Sequence, residues 1–238
     1  NKHKIAIIGG GSWATALVKI FSDNVLATHL TSGSTGKLSH YVEWWMRDAE
    51  TIENINKFRR NPNYLSSIEI NLDVVKVNPS FYEVIKNADI IVMAIPAAFL
   101  KDALQESKLN RSQLKDKTIV SAIKGIVPGN NQIISTFFSN HYDVPAVSYA
   151  TISGPCHAEE VAEEKLSYLT ISSQNNEISK IVSRYLECRY IKTLTSEDVA
   201  GNEFAAILKN IVAIASGICH GVGFGDNFQA VLIANAIR

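Results

Sequence analysis

The chain has 238 residues, 46% hydrophobic and 19% charged, so it can bury a sizeable core and is not a disordered polymer. Its 23 basic and 23 acidic side chains cancel, which excludes the basic excess of a general nucleic-acid binder but leaves room for a small basic pocket. Cys156, Cys188 and Cys219 form no CxxC, so neither a disulfide framework nor a zinc site is indicated, and reduced thiols in a cytoplasm are expected.

"KIAIIGG", from Lys4, reads as a buried strand that begins almost at once, leaving no room for a signal peptide. "SWATALVKIFSDN", Ser12 to Asn24, is the helix after it. "VLATHLTSGSTGKLS", Val25 to Ser39, is expected to be a surface insertion. Its SGSTGK is not a P-loop, because Leu38 follows Lys37 and Thr31 stands where the first glycine should be. "YVEWWMR" (41–47) is a strand, followed by a helix from about Asp48 to Phe58. "IEINLDVVKVN" (68–78) is β-like, "SFYEVIKNA" (80–88) is helical and "DIIVMAIP" (89–96) is a strand ended by Pro96. "FLKDALQES" (99–107) and "NQIISTFFSNHY" (131–142) are helical, with the strand "KTIVSAIKG" (117–125) between them. "AVSYATISG" (146–154) leads to a helix around "HAEEVAEE" (157–164), then the strand "LSYLTISS" (166–173), the helix "ISKIVSRYLECR" (178–189) and the strand "YIKTLTS" (190–196).

Such alternation, with near-continuous apolar strands, predicts an α/β fold with a doubly wound, mostly parallel sheet. After Ser196 the pattern turns all-helical. The predicted division is therefore 1–196, a dinucleotide-binding domain, and 197–238, the start of a helical domain. "EFAAILKNIVAIASG", Glu203 to Gly217, is apolar nearly all the way round, with Lys209 and Asn210 in its middle. Helices of that kind are usually buried, and buried lysines are rare unless paired. Lys209-Asn210 or glycine interrupts the longest apolar runs, so no membrane span is expected.

Gly9-Gly10-Gly11-Ser12-Trp13-Ala14 has the form G-x-G-x-x-A between a strand and a helix, which predicts a dinucleotide site. Gly9 permits the tight turn, Gly11 lets the backbone approach a pyrophosphate, and Ala14 lets the helix pack close to the strand. The helix start supplies free N–H groups and positive partial charge. The second strand ends in Arg47, where an acidic residue for the NAD ribose is usual. A guanidinium there suits a 2′-phosphate or stacks on adenine, so NADP is accommodated without excluding NAD. Lys124 stands at the end of an apolar strand, where ligands of open sheets collect. Cys156 and His157 are sequence neighbours, a poor geometry for a nucleophile and its base, and "SGPCHAEE" reads better as a turn into a helix.

"GGGSWATAL", "AIPAAFL", "SAIKGI", "SGPCHAEEVA" and "LKNIVAIASGICHGVGFGDNFQAVL" occur in this order, and together they resemble the bacterial NAD(P)-dependent glycerol-3-phosphate dehydrogenases that supply phospholipid synthesis. The resemblance implies a Rossmann domain joined to a helical domain, with catalysis between them. It implies NAD or NADP as cofactor, held by Ser12, Trp13, Arg47, Lys124 and Ala158 together with the glycine loop. It implies a small phosphorylated substrate, dihydroxyacetone phosphate or glycerol 3-phosphate, met by Lys124, Gly154, Cys156, Lys209 and Asn210. Cys156 stands where the family often has Ser or Thr. Lys209 matches the family's general acid/base, and burial beside Lys124 is expected to favour its neutral amine. A cytoplasmic homodimer without metal is expected. The family's further "GxGDL" and "SRN" segments have no counterpart here, and "GFGDN" at Gly223 to Asn227 is a different motif, so this stretch is expected to hold only part of a site. Two other readings compete: another reductase of the superfamily, such as a β-hydroxyacid dehydrogenase, and a nucleotide-binding sensor without turnover.

Overall fold

The computed structural model describes residues 3–31, 40–107, 109 and 111–236. In chain order the elements are β1 (Ile5–Ile8), α1 (Ser12–Thr31), β2 (Val42–Trp45), α2 (Ala49–Phe58), β3 (Val75–Asn78), α3 (Phe81–Lys86), β4 (Ile90–Met93) and α4 (Leu100–Glu106). They continue as β5 (Thr118–Ser121), α5 (Ile134–Tyr142), β6 (Tyr149–Ser153), α6 (Ala158–Ala162), β7 (Ser167–Ser172), α7 (Asn176–Leu186), β8 (Ile191–Ser196), α8 (Val199–Gly221) and α9 (Asp226–Ala236).

The strands form one sheet in the order β3-β2-β1-β4-β5-β6-β7-β8. The direction of winding reverses between β1 and β4, which pair in parallel from Ile5 with Ile90 to Ile8 with Met93. A crevice opens at the carboxyl ends of strands at such a reversal. β1 and β4 are buried on both faces, which is why they read as unbroken Ile, Val and Met rather than as alternation. Leu17, Phe21 and Trp44 fill one face, and Ile8, Leu100 and Phe138 fill the other. Each such side chain contributes roughly 1.5–3 kcal/mol on burial.

The structure departs from the sequence reading in four places. β7 runs antiparallel to β6, with Thr151 opposite Ser172. The five-residue α6 between them spans roughly 7–8 Å, less than half the roughly 20 Å length of β7. The chain therefore re-enters the sheet at the edge it left. The expected strand 68–78 shrinks to β3. Ile68 and Ile70 are buried as loop anchors, and Asn71 forms a turn, its side chain accepting from the Asp73 N–H at 2.9 Å. The first seven residues of the expected insertion are helix, because α1 continues to Thr31. Val25 and Leu26 pack on the core, and the Asn24 amide donates to the carbonyls of Arg184 and Glu187. The rest of that segment, 32–39 with Lys37, lies outside the described residues.

The fourth departure is α8, which is largely exposed. Only Val199 and Glu203 are buried, whereas Ile211 and Ile214 are 58% and 65% exposed. α9 has no buried residue. Lys209 is therefore exposed here, and the expectation of a buried lysine fails because α8 packs on the sheet only through its first turns. Its 23 residues are also long and apolar enough to cross a membrane by length and composition alone, which the reading of interrupted runs did not allow for.

Candidate active site

The glycine loop leaves β1 in a conformation that demands glycine first of all at Gly9. Its φ is +136°, and a Cβ there would lie 2.3 Å from the Ala94 carbonyl oxygen. The loop is clamped from both sides. The buried Trp44 indole N–H donates to the Gly9 carbonyl at 2.6 Å. The fully buried Asn61 amide donates to the Gly10 carbonyl at 3.2 Å and to Thr15 Oγ1 at 3.0 Å. Thr15 Oγ1 donates in turn to the Gly11 carbonyl at 3.0 Å. Ala14 is fully buried, so α1 lies close against the sheet. At Gly11 the situation is opposite, because an added Cβ would meet nothing within 4 Å. That open side faces a cleft of about 610 Å³ whose lining includes Gly9, Gly11, Arg47, Asp48, Tyr64 and Phe99. Ser12 and Trp13 open α1 beside it. A bare glycine backbone, a helix start and a cleft of this size suit a dinucleotide pyrophosphate.

Arg47 and Asp48 both reach the cleft, but they are not equivalent. Asp48 caps α2: its carboxylate accepts from the Thr51 N–H at 3.0 Å and from the Thr51 hydroxyl. The Thr51 hydroxyl bond, then the backbone bond, hold the carboxyl below its usual value. Asp48 is thus committed to the helix start. Arg47 stays exposed at the rim.

A second neighbourhood gathers at the ends of β5 and β6. Lys124 Nζ lies 6.0 Å from the centre of the Trp13 ring, a cation–π distance. Partial desolvation first, and then the positive charge of Lys209, push its ammonium below the ordinary lysine value. The Lys209 charge, carried by α8, thus acts on Lys124 at the end of β5, although Lys124 keeps solvent access. Gly154, at φ +144°, lets the Tyr168 carbonyl approach to where a Cβ would stand 2.4 Å away. Cys156 is 7% exposed beside it. Burial pushes its thiol up, which leaves a neutral group and agrees with the rejection of a nucleophile. Ala158, in the first turn of α6, is buried in the core, so what it offers a ligand is backbone. Asn210 is exposed next to Lys209.

The glycine loop and Arg47 thus share one cleft, while Trp13 meets Lys124, and Lys209 and Cys156 act on Lys124 by charge. Ser12, Trp13, Lys124, Gly154, Cys156, Ala158, Lys209 and Asn210 lie outside the cleft lining. Sequence reasoning missed Trp44 and Asn61, which hold the loop, and Tyr64, which lines the cleft. Trp44 was legible as a strand residue without its donor role. Asn61 and Tyr64 follow α2 in "RRNPNY", whose polar residues read as loop.

Residues 4–179 match the family described as "NAD-dependent glycerol-3-phosphate dehydrogenase N-terminus", and residues 198–238 match the corresponding C-terminus. The "Glycerol-3-phosphate dehydrogenase [NAD(P)+]" of Streptococcus agalactiae serotype V is 32% identical over 239 residues, covering 100% of this chain and 65% of that protein. Its counterpart in Streptococcus uberis is 33% identical, with coverages of 100% and 65%. A solved Plasmodium falciparum glycerol-3-phosphate dehydrogenase superposes with a TM-score of 0.85 at 25% identity, covering 100% of this chain and 64% of that one. The chain thus spans just under two thirds of the length of these relatives.

Proposed function

The chain belongs to the NAD-dependent glycerol-3-phosphate dehydrogenase family, and we propose that it interconverts dihydroxyacetone phosphate and sn-glycerol 3-phosphate, with Lys209 as the general acid/base. The observation that carries this reading is Lys124 at the carboxyl end of β5, its Nζ 6.0 Å from the ring centre of Trp13 in the glycine loop, with the Lys209 charge from α8 acting on it. A bound nicotinamide supplies or takes the hydride. The Gly9–Gly11 backbone and the start of α1 hold its pyrophosphate, and Arg47 offers a cation to a 2′-phosphate while Asp48 remains tied to α2. Lys124 faces the substrate phosphate and carbonyl as a fixed positive charge. Lys209 donates the proton that the alkoxide needs as the ketone is reduced, and takes it back in the reverse direction. Gly154, Cys156, Ala158 and Asn210 complete the walls of the proposed substrate and nicotinamide site.

In this reading residues 1–196 are the nucleotide domain and 197–238 begin the catalytic domain. The proposed setting is glycerophospholipid synthesis in the cytoplasm. A homodimer is the proposed assembly, in keeping with apolar side chains of α8 and α9 that stay exposed among the described residues. The test is cofactor oxidation by the full-length protein with dihydroxyacetone phosphate or with β-keto acids, using NADH and NADPH in turn. Turnover of the phosphorylated ketone is expected. Turnover of β-keto acids alone would instead indicate the β-hydroxyacid branch, and cofactor binding with no turnover a sensor.

A further inference from the structure

Glu203 is a carboxylate buried at the root of α8, only 5% exposed. Its Oε1 accepts from the Tyr149 hydroxyl at 2.5 Å and the Ser135 N–H at 3.2 Å. Its Oε2 accepts from the Ser135 hydroxyl at 2.6 Å and the same N–H at 3.3 Å. One side chain thus joins three elements: the first turn of α5, the start of β6, and α8. Its neighbour Asn202 accepts from the Ser153 hydroxyl at 2.9 Å, at the other end of β6. Beyond Glu203 no residue of α8 is buried, so Glu203 is its last deep anchor on the sheet domain.

Burial pushes the Glu203 carboxyl above its ordinary value, and the hydrogen bonds only partly offset this. Burial and the Glu203 charge push the Tyr149 phenol well up as well. Apolar residues of similar volume often stabilise a fold as well as a buried ionisable group does, or better. What apolar packing lacks is direction, since an aliphatic contact tolerates sliding and rotation. Lys209 lies six residues further along, roughly 9 Å down the helix axis. Its placement relative to the sheet is inherited from the orientation of the first turns.

We propose that Glu203 is a positioning residue: by locking α8 to Tyr149 and Ser135 it sets where the Lys209 ammonium stands relative to Lys124 and the nucleotide cleft. The proposal rests on the reading of Lys209 as acid/base. Its test uses Glu203→Gln in the full-length protein, where an amide replaces a carboxylate that accepts from three donors. Tyr149→Phe, which leaves both Ser135 bonds to Glu203 in place, is the gentler second variant should the first fold poorly. The readouts are kcat, KM, cofactor Kd, melting temperature and hydrogen–deuterium exchange across 199–210.

With Lys209 displaced by a fraction of a helix turn, kcat falls roughly 10- to 100-fold in Glu203→Gln, cofactor Kd is unchanged, and the first turns of α8 exchange faster. Tyr149→Phe moves each readout the same way by less. A lowered melting temperature with wild-type kcat per folded molecule would make Glu203 a stabilising group only and overturn the proposal. So would a fall in kcat with α8 exchange unchanged. If the unmodified protein does not reduce dihydroxyacetone phosphate, the acid/base reading fails separately. Exchange in α8 then decides the fastening alone, with faster exchange in the variants supporting it and unchanged exchange refuting it.

Discussion

Trp44 and Asn61 grip the glycine loop from inside a closed core, whereas Lys209 projects from a helix whose apolar side chains stand in solvent. Trp44 and Asn61 lie with the strands and their covering helices around a single sheet. The proposed acid/base stands instead on a 23-residue helix whose buried residues, Val199 and Glu203, lie in its first turns. A site of this kind separates its tasks, so that substitutions in the first region act on stability and cofactor affinity, and substitutions in the second act on the chemical step.

Lys209→Ala tests that separation most severely. In the full-length protein the rate of ketone reduction is expected to fall by about 10²- to 10⁴-fold, while cofactor affinity by fluorescence titration stays as it was. Lys209→Arg does not rescue the rate, because a guanidinium does not give up its proton. Lost cofactor binding in Lys209→Ala would break the comparison outright.

The two glycines sharpen it from the other side. Gly9→Ala places a Cβ against the Ala94 carbonyl at a positive φ, and is expected to cost roughly 1–3 kcal/mol of stability in denaturant unfolding. Gly11→Val fills open cleft instead, so unfolding is unchanged while dinucleotide affinity is lost. Equal destabilisation by both would mean that the cleft side of the loop is packed rather than open. Arg47→Ala is the next smaller effect: about tenfold weaker NADPH binding, with NADH little changed. Equal loss for both cofactors would point to stacking on adenine.

The smallest effect is electrostatic. Desolvation and the Lys209 charge both depress Lys124, so the folded protein holds that proton less tightly than the unfolded chain. The depression costs stability at pH below the lowered value, and the cost fades as pH rises towards 10.5. Lys209→Met removes the second cause and leaves the first. The Lys124 titration, followed by NMR of labelled lysine, is expected to move up without reaching the ordinary value. An unmoved titration would mean that α8 does not bring its charge to the sheet.

What was legible in the sequence follows the same contrast. The glycine pattern, the strand order of events and Arg47 at the tip of β2 are local signals, carried by residues that are neighbours in the chain. Lys209 was found by motif resemblance, but its exposure was misjudged, because an all-round apolar helix says that something covers it and not that this chain does. The reversal of β7 was hidden because apolar alternation carries no direction. Only the shortness of α6 hinted at it. The role of Glu203 was not legible, since its partners Ser135 and Tyr149 lie 68 and 54 residues away. Long-range hydrogen bonds of that kind leave no periodic trace.

Asp48 carries a consequence for anyone wishing to redesign cofactor preference. The acidic residue available for a ribose at the end of β2 is already serving as a fastener for α2, gripping both the N–H and the hydroxyl of Thr51. Exchanging it for a larger or basic residue would alter two properties together, loosening a helix start while reshaping the adenosine pocket. Engineering at Arg47 has no such entanglement, since its side chain is exposed at the rim. A library aimed at switching coenzymes would do better to vary Arg47 and Tyr64 and leave Asp48 alone.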